Sequence, residues 1–196
     1  MGRIFIAIVA AAALLSACAT TELETAPDPI GDFRLGDLLP RVSPSLTQGP
    51  VSRTATPEEW EAAMTAAFEQ NFRRFSGARP YHIGFLVEGY VLAQPGVPVV
   101  LSPKSALIFS VNVGDVESGE LLTKELVQFT VLETVSAGNV FGSGLTKDKE
   151  AQMAELAANA AKRVESWLRE QPWFDGSRTL QAAGEASAEP SSELPQ

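Results

Sequence analysis

Residues 107–132, LIFSVNVGDVESGELLTKELVQFTVL, contain two runs in which apolar and polar residues alternate on either side of a short turn. The apolar members are Leu107, Phe109, Val111, Val113, Val127, Phe129 and Val131. Because side chains of a strand alternate between its two faces, each run predicts a strand. The ESGE sequence at 117–120 supplies the turn. The stretch therefore predicts an antiparallel hairpin with one buried face and one more polar face.

A helix is predicted ahead of this hairpin, over residues 57–75. The sequence TPEE at 56–59 is a capping box, in which the Thr56 hydroxyl and Glu59 satisfy free amide groups and Pro57 occupies the first helical position. Apolar residues then recur every three or four positions, which gives one apolar stripe. They are Trp60, Met64, Ala67, Phe68, Phe72 and Phe75. We expect Gly77 to end the helix.

A second helix is predicted after the hairpin, with Thr146 as its cap and Pro172 as its stop. Its stripe is rich in alanine, which permits close approach to a sheet. The stripe comprises Met153, Leu156, Ala157, Ala160, Val164, Trp167 and Leu168.

A further strand is predicted before the hairpin, where Ile83, Phe85, Val87 and Val91 alternate with polar or small residues around a less regular centre.

The order helix, three strands, helix predicts an α+β fold over residues 56–175. We expect a two-layer sandwich, with an antiparallel sheet of three to four strands packed by two helices. Residues 19–55 contain five prolines and three glycines and no sustained period, which predicts a tether with little helix or strand of its own. Within that tether, the apolar residues of 30–42 favour contact with the folded domain; a partner-binding strip is the alternative. Residues 176–196 are poor in apolar side chains and are predicted to be disordered.

The N-terminus has the features of an export signal. The apolar run from Ile4 to Leu15 is too short to span a bilayer and follows Arg3. The sequence Leu15-Ser16-Ala17-Cys18 resembles the lipobox of bacterial lipoproteins, in which cleavage precedes a cysteine that is then acylated. We therefore predict a signal peptide at 1–17 and a lipid-anchored extension at 18–55. Ordinary cleavage after Ala19 is the alternative, since Ala17-Cys18-Ala19 also fits a small-x-small site.

An acylated Cys18 would anchor the protein without spanning the membrane. One acyl chain binds only marginally, whereas the two or three chains of a lipoprotein, such as palmitate, hold it in place. Residue 19 is alanine rather than aspartate. In enteric lipoproteins this favours the outer membrane, so we expect an envelope protein that faces the periplasm from that membrane.

Composition excludes several classes of function. The chain has 15 basic and 24 acidic residues, a net charge of −9, and the basic residues are scattered. This argues against nucleic acid as a partner. Cys18 and His82 are the only cysteine and histidine. Acylation of Cys18 leaves no thiol for a disulfide, a thiolate metal site or a nucleophile, and a zinc site with several imidazoles is impossible. We expect no metal and no cofactor.

The remaining candidate sites each have a plain structural interpretation. His82 has no acid–base neighbours in the sequence pattern and is interpreted as a structural or surface residue. Glu58, Glu59 and Glu61 are accounted for by the dipole of the first helix. The stretch GNVFGSGLTK at 138–147 could hold an anion at a helix start, but it lacks a P-loop ending and is interpreted as a turn. Trp173 and Phe174 either fold back onto the core or form a partner contact.

The residues VLSPKSALIFSVNVGDVESGELL (100–122) and the stretch from Gln128 to Leu168 resemble an uncharacterised group of small lipoproteins from Gram-negative envelopes. The order of elements also resembles, at fold level, periplasmic accessory lipoproteins such as the activators of peptidoglycan synthases. Neither resemblance supplies a catalytic residue. We predict a non-enzymatic, lipid-anchored envelope protein that binds or assists another envelope protein or assembly. The alternative is a module that carries a lipid or small apolar ligand between helices and sheet.

Overall fold

The fold was analysed in a computed structural model that describes residues 27–94, 105–133 and 148–175. In chain order the elements are β1 (Phe33–Gln48), α1 (Pro57–Phe72), β2 (Arg79–Val91), β3 (Ala106–Asp115), β4 (Val127–Leu132), α2 (Lys149–Arg169) and a 3₁₀ turn (Pro172–Phe174). The four strands form one sheet in the order β1-β2-β3-β4. The predicted α+β class is confirmed.

The sheet is mixed rather than antiparallel. β2 pairs antiparallel with β3, and β3 with β4, so the predicted hairpin is confirmed. β1, however, runs parallel to β2, and Phe33 pairs with Arg79 at the start of the register. The two parallel strands are joined by a crossover through α1, as parallel pairing requires.

The prediction of little strand structure in residues 19–55 is wrong, because residues 33–48 form the longest strand of the sheet. Its start contributes to the core: Phe33 and Leu35 are buried, and so is Ile30 just before it. The predicted contact of this stretch with the domain is therefore confirmed. Farther along, β1 contains Pro40 and Pro44, which an edge strand tolerates because one of its sides has no partner strand. The folded domain thus begins ahead of the predicted boundary at residue 56.

Both helices begin at side-chain caps. At α1 the Thr56 hydroxyl accepts from the Glu59 amide, and the Glu59 carboxylate accepts from the Thr56 amide, so the predicted capping box is confirmed. α1 ends at Phe72 rather than Phe75, and Arg73 is its C-cap. At α2 the Asp148 carboxylate accepts from the Ala151 amide at 2.7 Å. The predicted cap, Thr146, lies outside the described residues.

The core lies between the helices and one face of the sheet, which we call the covered face. The Phe68 ring of α1 lies 5.0 Å from the Phe85 ring and 6.5 Å from the Phe109 ring, centroid to centroid. From α2, the Trp167 ring lies 5.6 Å from the Phe129 ring. The largest fully buried side chains are Trp60, Tyr81, Phe33, Phe68, Phe72, Phe109, Met64, Ile83, Leu92, Leu107, Leu156 and Leu168.

A polar network joins the two helices above the core. Glu165 of α2 accepts from the side chains of Asn71 at 2.8 Å and Arg169 at 2.7 Å, and it pairs with Arg74. Burial raises the pKa of Glu165, but the hydrogen bonds from Arg169 and Asn71 outweigh burial and leave the pKa below its usual value. Glu165 therefore stays ionised and ties α2 to the end of α1. Neither helix in the described ranges is long and apolar enough to cross a membrane.

Candidate functional site

The second face of the sheet, which we call the open face, carries the outward side chains of the four strands. Its exposed aliphatic residues span the sheet: Leu39 of β1 is 49% exposed, Ile108 of β3 is 38% exposed and Leu132 of β4 is 55% exposed. In the described parts of the chain, both helices pack on the covered face. These three aliphatic side chains lie among polar residues of the same face, such as Ser110 and Gln128, and no helix of the described ranges covers them.

A groove of about 350 Å³ lies on the open face, where two strands are irregular. In β2 the register with β3 shifts between Val87 and Gly89, so Glu88 is the extra residue of a β-bulge. Beside it, the pairing of β1 with β2 shifts between Val42 and Thr47. Bulges of this kind re-aim side chains and are common next to binding sites.

The groove has an aliphatic lining with one acidic group. Its lining residues are Thr47, Gly49, Glu88, Gly89, Tyr90, Val91, Ala106, Ile108 and Gln128. Glu88 is half-buried, and each of its carboxylate oxygens accepts one hydrogen bond, from the Ser110 hydroxyl at 2.8 Å and from the Gln128 side-chain amide. These neutral donors fix the carboxylate at the edge of the groove without neutralising its charge.

His82 lies on the open face near the other end of β2 and is accounted for structurally. Its Nδ1 accepts a hydrogen bond from the Asp37 amide at 2.9 Å, which satisfies a backbone donor where the β1 register shifts between Leu35 and Leu38. The Asp37 carboxylate lies 3.6 Å from the same nitrogen. Gly36 lies close to this ring: a Cβ at that position would be 3.1 Å from Nδ1, which is a tight contact.

The acidic residues at the start of α1 also have structural roles. Glu59 caps the helix and pairs with Lys149 at the start of α2, so it links the N-termini of the two helices. The hydrogen bond from Lys149 holds the pKa of Glu59 below its usual value, and the bond from the Thr56 amide lowers it further. Glu58 and Glu61 are exposed on the same helix. Within the described ranges, no three His, Cys, Asp or Glu side chains converge as a metal site would require.

Trp173 and Phe174 fold back onto the domain. Phe174 is 3% exposed, and its ring lies 5.4 Å from Phe33 and 4.9 Å from Tyr81. Trp173 is half-buried, and its ring lies 5.5 Å from Trp167. The buried Phe174 side chain offers little surface to a partner, whereas the half-buried Trp173 leaves the partner contact as a prediction.

Several predicted sites lie outside the described residues: the lipobox Leu15, Ser16 and Ala17, the acylated Cys18, and the glycine-rich stretch 138–147. Glu88 and its groove, by contrast, were missed. The less regular centre of the 83–91 alternation was the available signal, because the buried positions change from odd (Ile83, Phe85, Val87) to even (Tyr90, Leu92) on either side of the bulge.

The fold and the groove together define a small α+β domain with one covered and one open sheet face. No family model and no curated protein matches the sequence. The structure is similar to a DUF330 protein from Xanthomonas campestris, with 13% identity, a TM-score of 0.44, and coverage of 78% of this chain and 91% of that one.

Two further solved structures show weaker likeness. A PelC dodecamer subunit from Paraburkholderia phytofirmans has 16% identity and a TM-score of 0.34, covering 75% of this chain and 95% of that one. A proposed lipoprotein from Caulobacter crescentus has 14% identity and a TM-score of 0.35, covering 68% and 90%. Likenesses at this level carry no argument about function.

Proposed function

We propose that the chain is a lipid-anchored, non-enzymatic protein of the cell envelope whose open face binds another envelope protein. Anchoring is proposed through acyl chains on Cys18, at the outer membrane and facing the periplasm. The support is the sequence Leu15-Ser16-Ala17-Cys18 behind a short apolar run. With the acidic chain repelled by anionic lipids, the acyl chains are the membrane contact in this proposal.

The observation that carries the binding role is the exposed aliphatic surface of the open face. Leu39, Ile108 and Leu132 expose between 38% and 55% of their surface on this face of the sheet. Covering such a face removes apolar area from water, at about 25 cal/mol for each Å². Protein interfaces are built around apolar centres of this kind with polar groups at the rim.

The alternative, a carrier of lipid between helices and sheet, has less support. The space between the layers is occupied by packed rings such as Trp60, Phe68 and Phe109, each 0% exposed. The groove lies on the opposite side of the sheet, and its described lining contains neither Phe nor Leu.

Site-specific photocrosslinking in cells tests the binding role. A photoreactive residue is placed at Ile108 or Leu39 on the open face, and at the exposed Ser166 of α2 as the control. We expect protein adducts from the open-face positions and not from Ser166. Adducts of equal yield from Ser166, or none from either open-face position, would contradict the proposal.

Membrane anchoring is tested separately. We expect the mature chain to begin at an acylated Cys18 in mass spectra and to sediment with outer membranes. Cys18→Ser should release it to the soluble fraction. An unmodified N-terminus at Thr20, or unchanged membrane partition of the variant, would overturn this part.

A further inference from the structure

Glu88 lies at the wall of the groove and has no counter-ion among the described residues. Its two hydrogen-bond partners, Ser110 and Gln128, are both neutral. In the described parts of the chain no Lys, Arg or His pairs with it, although most other half-buried carboxylates here do have a cation, as Glu59 has Lys149 and Glu165 has Arg169. Among the described residues, this lack of a cation distinguishes Glu88 from Glu59 and Glu165.

The carboxylate can accept more than it does. An ionised Glu offers about four lone-pair sites, of which two are used here. The Ser110 and Gln128 donors hold it in place, so a cation that reaches it would not have to order a mobile side chain first. Positioned carboxylates of this kind bind guanidinium and ammonium groups by short, charge-assisted hydrogen bonds.

The rest of the groove suits the stem of a basic side chain. Val91, Ala106 and Ile108 provide aliphatic surface, while Gly49 and Gly89 add no side chain that would fill it. Lysine and arginine bury their methylene stems against such surfaces while the charged head reaches a polar group. A groove of about 350 Å³ is large enough for one such side chain with its flanking backbone.

We propose that the groove receives an arginine or lysine side chain from an extended segment of the partner protein, with its charged head on Glu88. This inference rests on the proposed function, since it names the chemistry that the open face recognises. The net charge of −9 agrees with it, because an acidic chain attracts a basic segment over long range and speeds the encounter.

Two peptides test the chemistry directly. The probe is acetyl-Val-Arg-Val-Arg-Val-amide, and its control carries neutral citrulline in place of each arginine. We expect the arginine peptide to shift the NMR amide signals of Gly89 and Ala106, and Glu88→Gln to weaken its binding at least about tenfold. Glu61→Gln, an exposed carboxylate on α1, removes the same charge away from the groove and should leave binding within about twofold.

Several outcomes would overturn the inference. These are equal binding of the citrulline peptide, unchanged binding to a folded Glu88→Gln protein, no binding by the wild type at millimolar peptide, or shifts confined to residues outside the groove. Ethanolamine binding as tightly as the peptide would assign the groove to a small amine instead. A concentration-dependent dimer that Glu88→Gln abolishes in sedimentation would assign it to a second copy of the chain.

Crosslinking separates this inference from the proposed function. If adducts from Ile108 persist at full yield with Glu88→Gln, the open face still binds a partner and only the role of Glu88 is overturned. If no open-face position yields adducts in the wild type, the proposed function itself fails. A loss of the Ile108 adduct with Glu88→Gln, but not with Glu61→Gln, is the result that we expect.

Discussion

The covered face and the open face of the same sheet differ in how deeply adjacent residues of one strand are buried. Phe109 and Ile108 are adjacent in β3, yet Phe109 is fully buried under α1 and Ile108 is 38% exposed on the other side. The covered face gives the domain its stability. The open face has apolar residues that stabilise little in the isolated chain. Two neighbouring residues of one strand therefore contribute very differently to folding.

The largest expected effect is the loss of the Phe109 side chain. Phe109→Ala removes a ring packed against Phe68 and Phe129, so we expect about 3–5 kcal/mol of lost stability. Urea denaturation measures it. Ile108→Ala is the matched control and should cost less than about 1 kcal/mol, because a partly exposed side chain loses little burial. Equal losses would mean that the two faces are not distinct.

The next effect concerns the clamp between the helices that cover the sheet. Glu165→Gln weakens hydrogen bonds from Asn71 and Arg169, which at a charged group are worth about 1.5–3 kcal/mol. Because the pKa of Glu165 is lowered in the fold, its ionic contribution is fully present above the ordinary value of 4.5 and is lost as pH falls through the folded pKa. The deficit of the variant should therefore shrink at acid pH in melting experiments. A deficit that stays constant from pH 7 to pH 3 would contradict this.

A smaller effect is expected at His82. His82→Ala removes the acceptor of the Asp37 amide, and one hydrogen bond is worth about 0.5–1.5 kcal/mol. The variant should stay folded and keep any envelope phenotype, as well as the crosslink from Ile108. Loss of the phenotype in a folded, abundant variant would reveal chemistry at His82. The difference between its denaturation midpoint and that of the wild type measures the stability lost with this hydrogen bond.

The smallest effect is expected from the C-terminal tail. Residues 176–196 contain few apolar side chains, and a chain that ends at Asp175 should melt within about one or two degrees of the full protein. Differential scanning calorimetry decides it. A fall of many degrees in the melting temperature would show that the tail contributes to the core. The tail would then pack on the domain as a further contact surface beside the two faces of the sheet.

The covered face could be predicted from the sequence because its information is local. Alternation in β3 and β4 and the three-to-four spacing in both helices each lie within about twenty residues. The capping box at Thr56 is equally local, and it was predicted to the residue. Such signals depend on one periodic face that meets the core.

β1 could not be predicted in the same way, because its pairing joins residues far apart in the sequence. Phe33 pairs with Arg79, and parallel strands are joined by a long crossover, so no short turn in the sequence indicates the pairing. Beyond Leu35 the strand alternates poorly, because its register shifts twice and it contains Pro40 and Pro44. Glu88 was missed for a related reason: a bulge breaks the alternation on which strand prediction depends.

Gly31 and Phe174 are in contact, and this makes the domain suitable for circular permutation. Gly31 has a φ of 49°, a Cβ there would overlap the Phe174 carbonyl oxygen, and the Asp32 amide donates to that oxygen at 2.9 Å. The polypeptide thus enters and leaves the domain at one point, close enough for a short linker to join its ends. Gly119, in an exposed turn with nothing within 4 Å of its Cβ position, offers a place for new ends. A permuted chain would keep the same two faces while its new ends lie in the β3–β4 turn, so the proposed lipid anchor could be moved to that turn without changing the fold.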